Sequence, residues 1–138
     1  MAMSSGSDSM INTLRDTIVS MVRRDGPDLS ARQLAVFLTC YLQDDAHTVR
    51  GLAAELNVSK PAITRALDRL QDLDLAWRTR DPMDGRSVLI RRTLKGKAYL
   101  RDLSAIVNEA TAPREEEAAA PVRKVRGRRM EERLRRAG

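Results

Sequence analysis

A chain of 138 residues, 42% of them hydrophobic and only 3% aromatic, has material for one domain with a modest, mostly aliphatic core. That scarcity of aromatic rings excludes a base-stacking platform for single strands, and no apolar run approaches the length of a membrane span. The net charge of +6 is unevenly spread: residues 47–97 carry 11 Lys/Arg against 6 Asp/Glu, residues 113–138 carry 9 against 5, and the rest carry 5 against 8.

Residues 1–9 are rich in serine, which predicts a disordered start without the regions of a signal peptide. Asp8 or Ser9 then caps a first helix whose Ile11, Leu14, Ile18, Met21 and Val22 recur at helical spacing. Arg23 and Arg24 suit its last turn, and Asp25-Gly26-Pro27 stops it. Ser30 caps a second helix with Leu34, Phe37, Leu38, Tyr41 and Leu42 on one face, ended by Gln43-Asp44-Asp45. From Thr48 a third helix turns Val49, Leu52, Ala53 and Leu56 inward. Asn57, a residue type that tolerates a left-handed backbone, ends it.

Ser59 caps a fourth helix over 60–73 with Ile63, Ala66, Leu67 and Leu70 inward; Pro61 lies in its first turn, where a missing amide hydrogen costs nothing. A strand over 75–80, a turn from Asp81 to Arg86 and a return strand over 87–92 follow, with alternation that is strand-like but incomplete. Thr93 caps a fifth helix carrying Tyr99, Leu100, Leu103, Ile106 and Val107, and Pro113 closes it. Residues 113–138 form a basic tail, interrupted by Pro121 and Gly127, that is expected to be largely disordered or a frayed helix. The predicted class is mainly α with a small β-hairpin, and the organised domain is 10–112.

The third and fourth helices, joined through Asn57-Val58, have the parts of a helix-turn-helix: small Ala53 at the crossing, Leu52, Leu56, Val58, Ile63 and Ala66 locking the pair, and Asn57 for positive φ. Any small bundle satisfies the apolar part, but the basic hairpin immediately after it argues for the motif. With Ile63 taken as the core direction and about 100° per residue, Arg65 points away from the core, flanked by Pro61, Ala62, Asp68 and Arg69. An arginine there can donate two bonds to guanine in a major groove, while Ser59 and Lys60 at the helix start suit phosphates. The bland reading leaves Arg65 and Arg69 solvated or paired with Asp68 or Asp72.

Residues 48–96 resemble the DNA-binding core of the MarR family of bacterial transcription regulators. The likeness is carried by TVRGLAAELNVSKPAITRALDRL, then LAWRTRDPMDGRS, then RTLKG. It implies a winged helix-turn-helix, with the helix-turn-helix over 48–73 and the wing over 75–92. Asp81-Pro82-x-Asp84-x-Arg86 is its most specific element: the resemblance implies that Arg86 reaches a minor groove and that Asp84 orients it. Two positions depart from the pattern. Gly85 stands where relatives usually have another arginine, and Arg92 where they usually have an apolar residue. The candidate interface is therefore Ser59, Lys60, Pro61, Ala62, Thr64, Arg65 and Arg69 from the helix, with Asp84 and Arg86 from the wing.

Other residues invite bland readings. Cys40 has no His or Lys beside it in sequence and is expected to pack in the core instead of sensing oxidants. His47 precedes the Thr48 cap and is not expected to act as a pH or metal site; with one His and one Cys in the chain, no His/Cys zinc site of three ligands can form. Trp77 on the first wing strand is expected to be buried. No P-loop or G-x-S-x-G occurs, and no cofactor or catalysis is expected.

The reading implied is a cytoplasmic, sequence-specific regulator of duplex DNA, a repressor more often than not. The resemblance adds a homodimer on a pseudo-palindrome, with dimer contacts on the first and fifth helices, and a small-molecule effector in many relatives. Two alternatives stay open: a nucleoid-associated protein of low sequence preference, and an adaptor whose winged helix docks on another protein. The tail is expected to add weak, nonspecific DNA contact.

Overall fold

The computed structural model describes residues 5–112; residues 1–4 and the tail 113–138 lie outside the described part. In chain order it holds α1 (Ser5–Arg23), α2 (Ala31–Leu42), α3 (Val49–Leu56), α4 (Lys60–Asp72), β1 (Ala76–Arg80), β2 (Val88–Arg92) and α5 (Leu94–Thr111). Short polar residues start the helices by satisfying amides that have no intrahelical partner. Ser30 and Gln33 form a reciprocal capping box, the Gly51 amide donates to Thr48 Oγ1, Ala62 donates to Ser59 Oγ, and Gly96 donates to Thr93 Oγ1. The first helix begins at Ser5, earlier than the serine-rich sequence implied, with Asp8 inside its first turn near the positive end of the helix dipole.

The core lies where α2, α4 and the hairpin base meet. Val36, Phe37, Leu52, Ile63, Leu67 and Leu70 are fully buried at its centre. Phe37 stacks on Tyr41 with ring centroids 4.4 Å apart and meets Tyr99 edge-on at 5.1 Å, so three of the few aromatic rings gather at one junction. Cys40 is 3% exposed in this core, and burial pushes its thiol up to about 12, far from a reactive thiolate. Leu42 is the exception on its helix: expected inward, it is exposed at the last residue of α2, while Cys40 and Tyr41 before it are buried.

The β-strands pair antiparallel with Trp77 opposite Arg91 and Thr79 opposite Leu89. A third segment joins the ladder: the Ile90 amide donates to the His47 carbonyl at 3.0 Å, and Thr48 bridges Leu89. Coverage from that side leaves Val88, Leu89 and Ile90 all half-buried, which is why the sequence alternation was incomplete. Tyr41 ties α2 to the base of the hairpin: its hydroxyl donates to the Leu75 carbonyl at 2.6 Å and accepts the Thr93 amide at 2.9 Å. α1 packs mainly against α5, joined at its end by an Arg24–Asp102 ion pair of 3.2 Å. Its Ile11, Leu14, Ile18 and Val22 are nonetheless exposed.

Candidate nucleic-acid interface

α3 and α4 are set by the turn between them. Asn57 adopts φ 55° and ψ 47°, the left-handed conformation that the sequence required there, and the Val58 amide donates back to Ala53 at 3.1 Å. Buried Ala53 lets the helices approach, and Leu52, Ile63 and Ala66 lock them, so α4 presents its opposite side outward. Lys60, Pro61, Thr64, Arg65, Asp68 and Asp72 are exposed there, and Arg69 is half-buried at the edge. Among the described residues Arg65 makes neither an ion pair nor a side-chain hydrogen bond, so its guanidinium is available to a ligand. Ser59 Oγ accepts the Ala62 amide at 3.2 Å, which occupies a lone pair of the hydroxyl but not its proton.

One expected contact is corrected. Ala62 is only 5% exposed and lies on the shoulder of the helix, about 40° from buried Ala66, so its methyl belongs to the protein interior and not to the outward face. Counting residues around a helix fixes the angle but not how far neighbouring elements wrap over that shoulder.

The wing tip is held by its own acids. Asp81 Oδ1 accepts the Met83 amide at 2.8 Å, and the Asp84 carbonyl accepts the Ser87 amide at 2.9 Å. Asp84 Oδ1 accepts the Arg86 amide at 3.1 Å, and its Oδ2 accepts the Ser87 hydroxyl at 3.3 Å. Asp84 therefore acts on the backbone of Arg86, while the exposed guanidinium has no partner among the described residues. Arg80 adds a bond to the Gly85 carbonyl at 3.2 Å. A Cβ at Gly85 would meet nothing within 4 Å, so packing does not demand glycine at this departure from the family pattern.

The other departure has a structural role. Arg92 Nε donates to the Cys40 carbonyl at 2.9 Å and Nη2 to the Gln43 carbonyl at 3.0 Å, while the guanidinium lies 5.7 Å from the Tyr41 ring centroid. It satisfies carbonyls that the end of α2 leaves without helical partners, where a cation is also favoured by the dipole. Trp77 corrects a further expectation: it is 46% exposed, and its indole N–H donates to Asp74 Oδ1 at 2.6 Å. Alternation on β1 puts Ala76 and Arg78 toward the body and leaves Trp77 on the outer face. His47 lies beside the helix-turn-helix with Nε2 3.0 Å from the Gln43 carbonyl oxygen. Sequence reasoning also missed Arg78, which Asp68 and Gln71 hold at the junction of α4 and β1. Spacing gave no sign of it, since the pairing runs between elements. Among the described residues no helix is long and apolar enough to cross a membrane, and no group of three or more metal-ligating side chains gathers.

A helix-turn-helix with an outward arginine, followed by a hairpin whose turn carries a second exposed arginine, defines the winged helix-turn-helix class of DNA-binding proteins. The model of the MarR family matches residues 27–87, the helix-turn-helix and most of the wing included. Solved structures share the fold. The YusO protein from Bacillus subtilis aligns over 96% of this chain and 90% of its own, with 20% identity and a TM-score of 0.63. The S. aureus MepR–DNA complex aligns over 93% and 94% with 20% identity and a TM-score of 0.59. CouR from Rhodococcus jostii, bound to p-coumaroyl-CoA, aligns over 89% and 82% with 27% identity and a TM-score of 0.58. No curated protein matches the chain significantly.

Proposed function

We propose that the protein is a cytoplasmic, sequence-specific repressor that binds an inverted repeat in duplex DNA as a homodimer and has no catalytic step. The observation that carries this reading is the pair of exposed arginines without partners among the described residues, Arg65 on α4 and Arg86 at the wing turn. Arg65 donates to a guanine edge in the major groove, with Thr64 and Arg69 beside it. Arg86 enters the neighbouring minor groove, where an A·T-rich sequence gives the strongest negative potential. Lys60 and the Ser59 hydroxyl, with Pro61 beside them in the first turn of α4, bind phosphates and fix register.

The exposed apolar stripe of Ile11, Leu14, Ile18 and Val22 supports the dimer, because a stripe of that kind on a small domain calls for a partner surface. Three of these residues, Leu14, Ile18 and Val22, also line a cavity of about 760 Å³ between α1, the start of α2 and α5, with Leu34, Leu38 and Tyr99 in its other walls. That size and its mainly apolar walls suit a small, largely apolar effector.

The test is genome-wide occupancy of the tagged full-length protein beside its Arg65→Ala variant. Sharp peaks that share an inverted repeat and vanish in the variant are expected. Broad occupancy without a shared sequence, unchanged by the substitution, would instead mark an architectural protein of low specificity.

A further inference from the structure

The recognition helix and the wing are joined by more than the chain between them. Arg78, on the inner face of β1, reaches back to α4: its Nε donates to Gln71 Oε1 at 3.0 Å and its Nη2 to Asp68 Oδ1 at 2.7 Å. Its side chain is 24% exposed against 56% for Asp68, so the bond runs from a sheltered base outward to the edge of the face that carries Arg65. Asp68 and Gln71 are three residues apart, hence neighbours on one side of the helix. A planar guanidinium bonded to both fixes an angle as well as a distance, which a single point contact does not. On the other strand, Ile90 and Arg92 are bonded to His47 and to the end of α2, so both strands are fastened at the base while the tip projects freely.

We propose that Arg78 is a positioning residue for DNA recognition: bonded to Asp68 and Gln71, it sets the pose of the wing on α4 and thereby the separation between Arg65 and Arg86. The proposal rests on the reading that α4 and the wing enter neighbouring grooves. The same ion pair neutralises Asp68, a carboxylate close to Arg65 on the face that would meet phosphates. Without Arg78 the wing pivots on its remaining ties, and Arg86 loses its defined place opposite the minor groove.

The prediction is non-additivity between Arg78 and Arg86. The probe is a duplex selected from a random-sequence pool by the full-length protein. Dissociation constants are measured by fluorescence anisotropy for the wild type, Arg86→Ala, Arg78→Ala and the double variant. Arg86→Ala should cost about tenfold in the wild type but about twofold or less in the Arg78→Ala background, a coupling within the range for residues of one network. Asp68→Ala, at an exposed position that tolerates substitution, should reduce the effect of Arg86→Ala in the same way, so the inference remains testable if Arg78→Ala fails to fold. Arg78→Lys keeps the charge but not the two-point geometry and should restore only part of the coupling. A merely structural Arg78 would lower the melting temperature while leaving the cost of Arg86→Ala unchanged, and that additivity would overturn the proposal. If Arg86→Ala costs nothing in the wild type, the minor-groove reading of the wing itself fails, and this inference falls with it.

Discussion

Gly96→Ala, one methyl group at the start of α5, should weaken the protein more than its size implies. A Cβ there would overlap the Tyr41 hydroxyl and lie 2.5 Å from both the Leu75 carbonyl oxygen and Tyr41 Cζ. The hydroxyl cannot step aside, because it donates to Leu75 at 2.6 Å and accepts the Thr93 amide at 2.9 Å. Displacing it strands two polar groups, at about 1–3 kcal/mol each, and overpacking adds about 1–3 kcal/mol. The better helix propensity of alanine returns about 1 kcal/mol. Partial relaxation of the ring leaves a net loss of about 2–5 kcal/mol, equivalent to a fall of about 8–20 °C in melting temperature for a domain of this size. Thermal unfolding followed by circular dichroism, with urea titration at 25 °C, measures it. Tyr41→Phe alone should cost about 1–3 kcal/mol. It should not rescue Gly96→Ala, since the carbonyl and the ring carbon still obstruct the methyl. A Gly96→Ala protein that melts within about 2 °C of the wild type would refute this account of the junction.

Three further outcomes are expected. Arg65→Ala should weaken operator binding by about 1–3 kcal/mol and relax preference at one base pair; equal loss across a panel of single-base-pair variants would mark a phosphate contact instead. Raising salt from about 50 to about 200 mM should weaken binding at least about tenfold if several phosphates are neutralised, and a flat response in an anisotropy titration would contradict the proposed interface. Burial raises the Cys40 thiol to about 12, against a smaller opposing pull from Arg92. The folded protein therefore keeps a proton that the unfolded chain releases, so this contribution is complete below about pH 8.5 and declines toward pH 12, by at most about 1.4 kcal/mol per pH unit. Urea midpoints at pH 8 and pH 10 should differ less in Cys40→Ala than in the wild type; equal differences would mean that the thiol is not held neutral by the fold.

The sequence determined what depends on near neighbours along the chain. Ser30, Thr48, Ser59 and Thr93 each start a helix because a short side-chain oxygen reaches an amide three residues on, and that chemistry is legible without a fold. Asn57 marked the turn because few residues accept positive φ, and the acids of the wing marked a tip that bonds its own backbone. Helical angles alone also turned Arg65 outward.

What required the tertiary structure was which element lies over which face and which arginine meets which acceptor. Ala62 and Trp77 exchanged their expected places because burial depends on coverage by distant segments, not on side-chain type. Arg78 chose Asp68 and Gln71, and Arg92 chose the carbonyls at the end of α2, across separations that no local pattern encodes. A charged side chain carries its valence in the sequence, but its partner is set by the packing that brings an oxygen within about 3 Å of it.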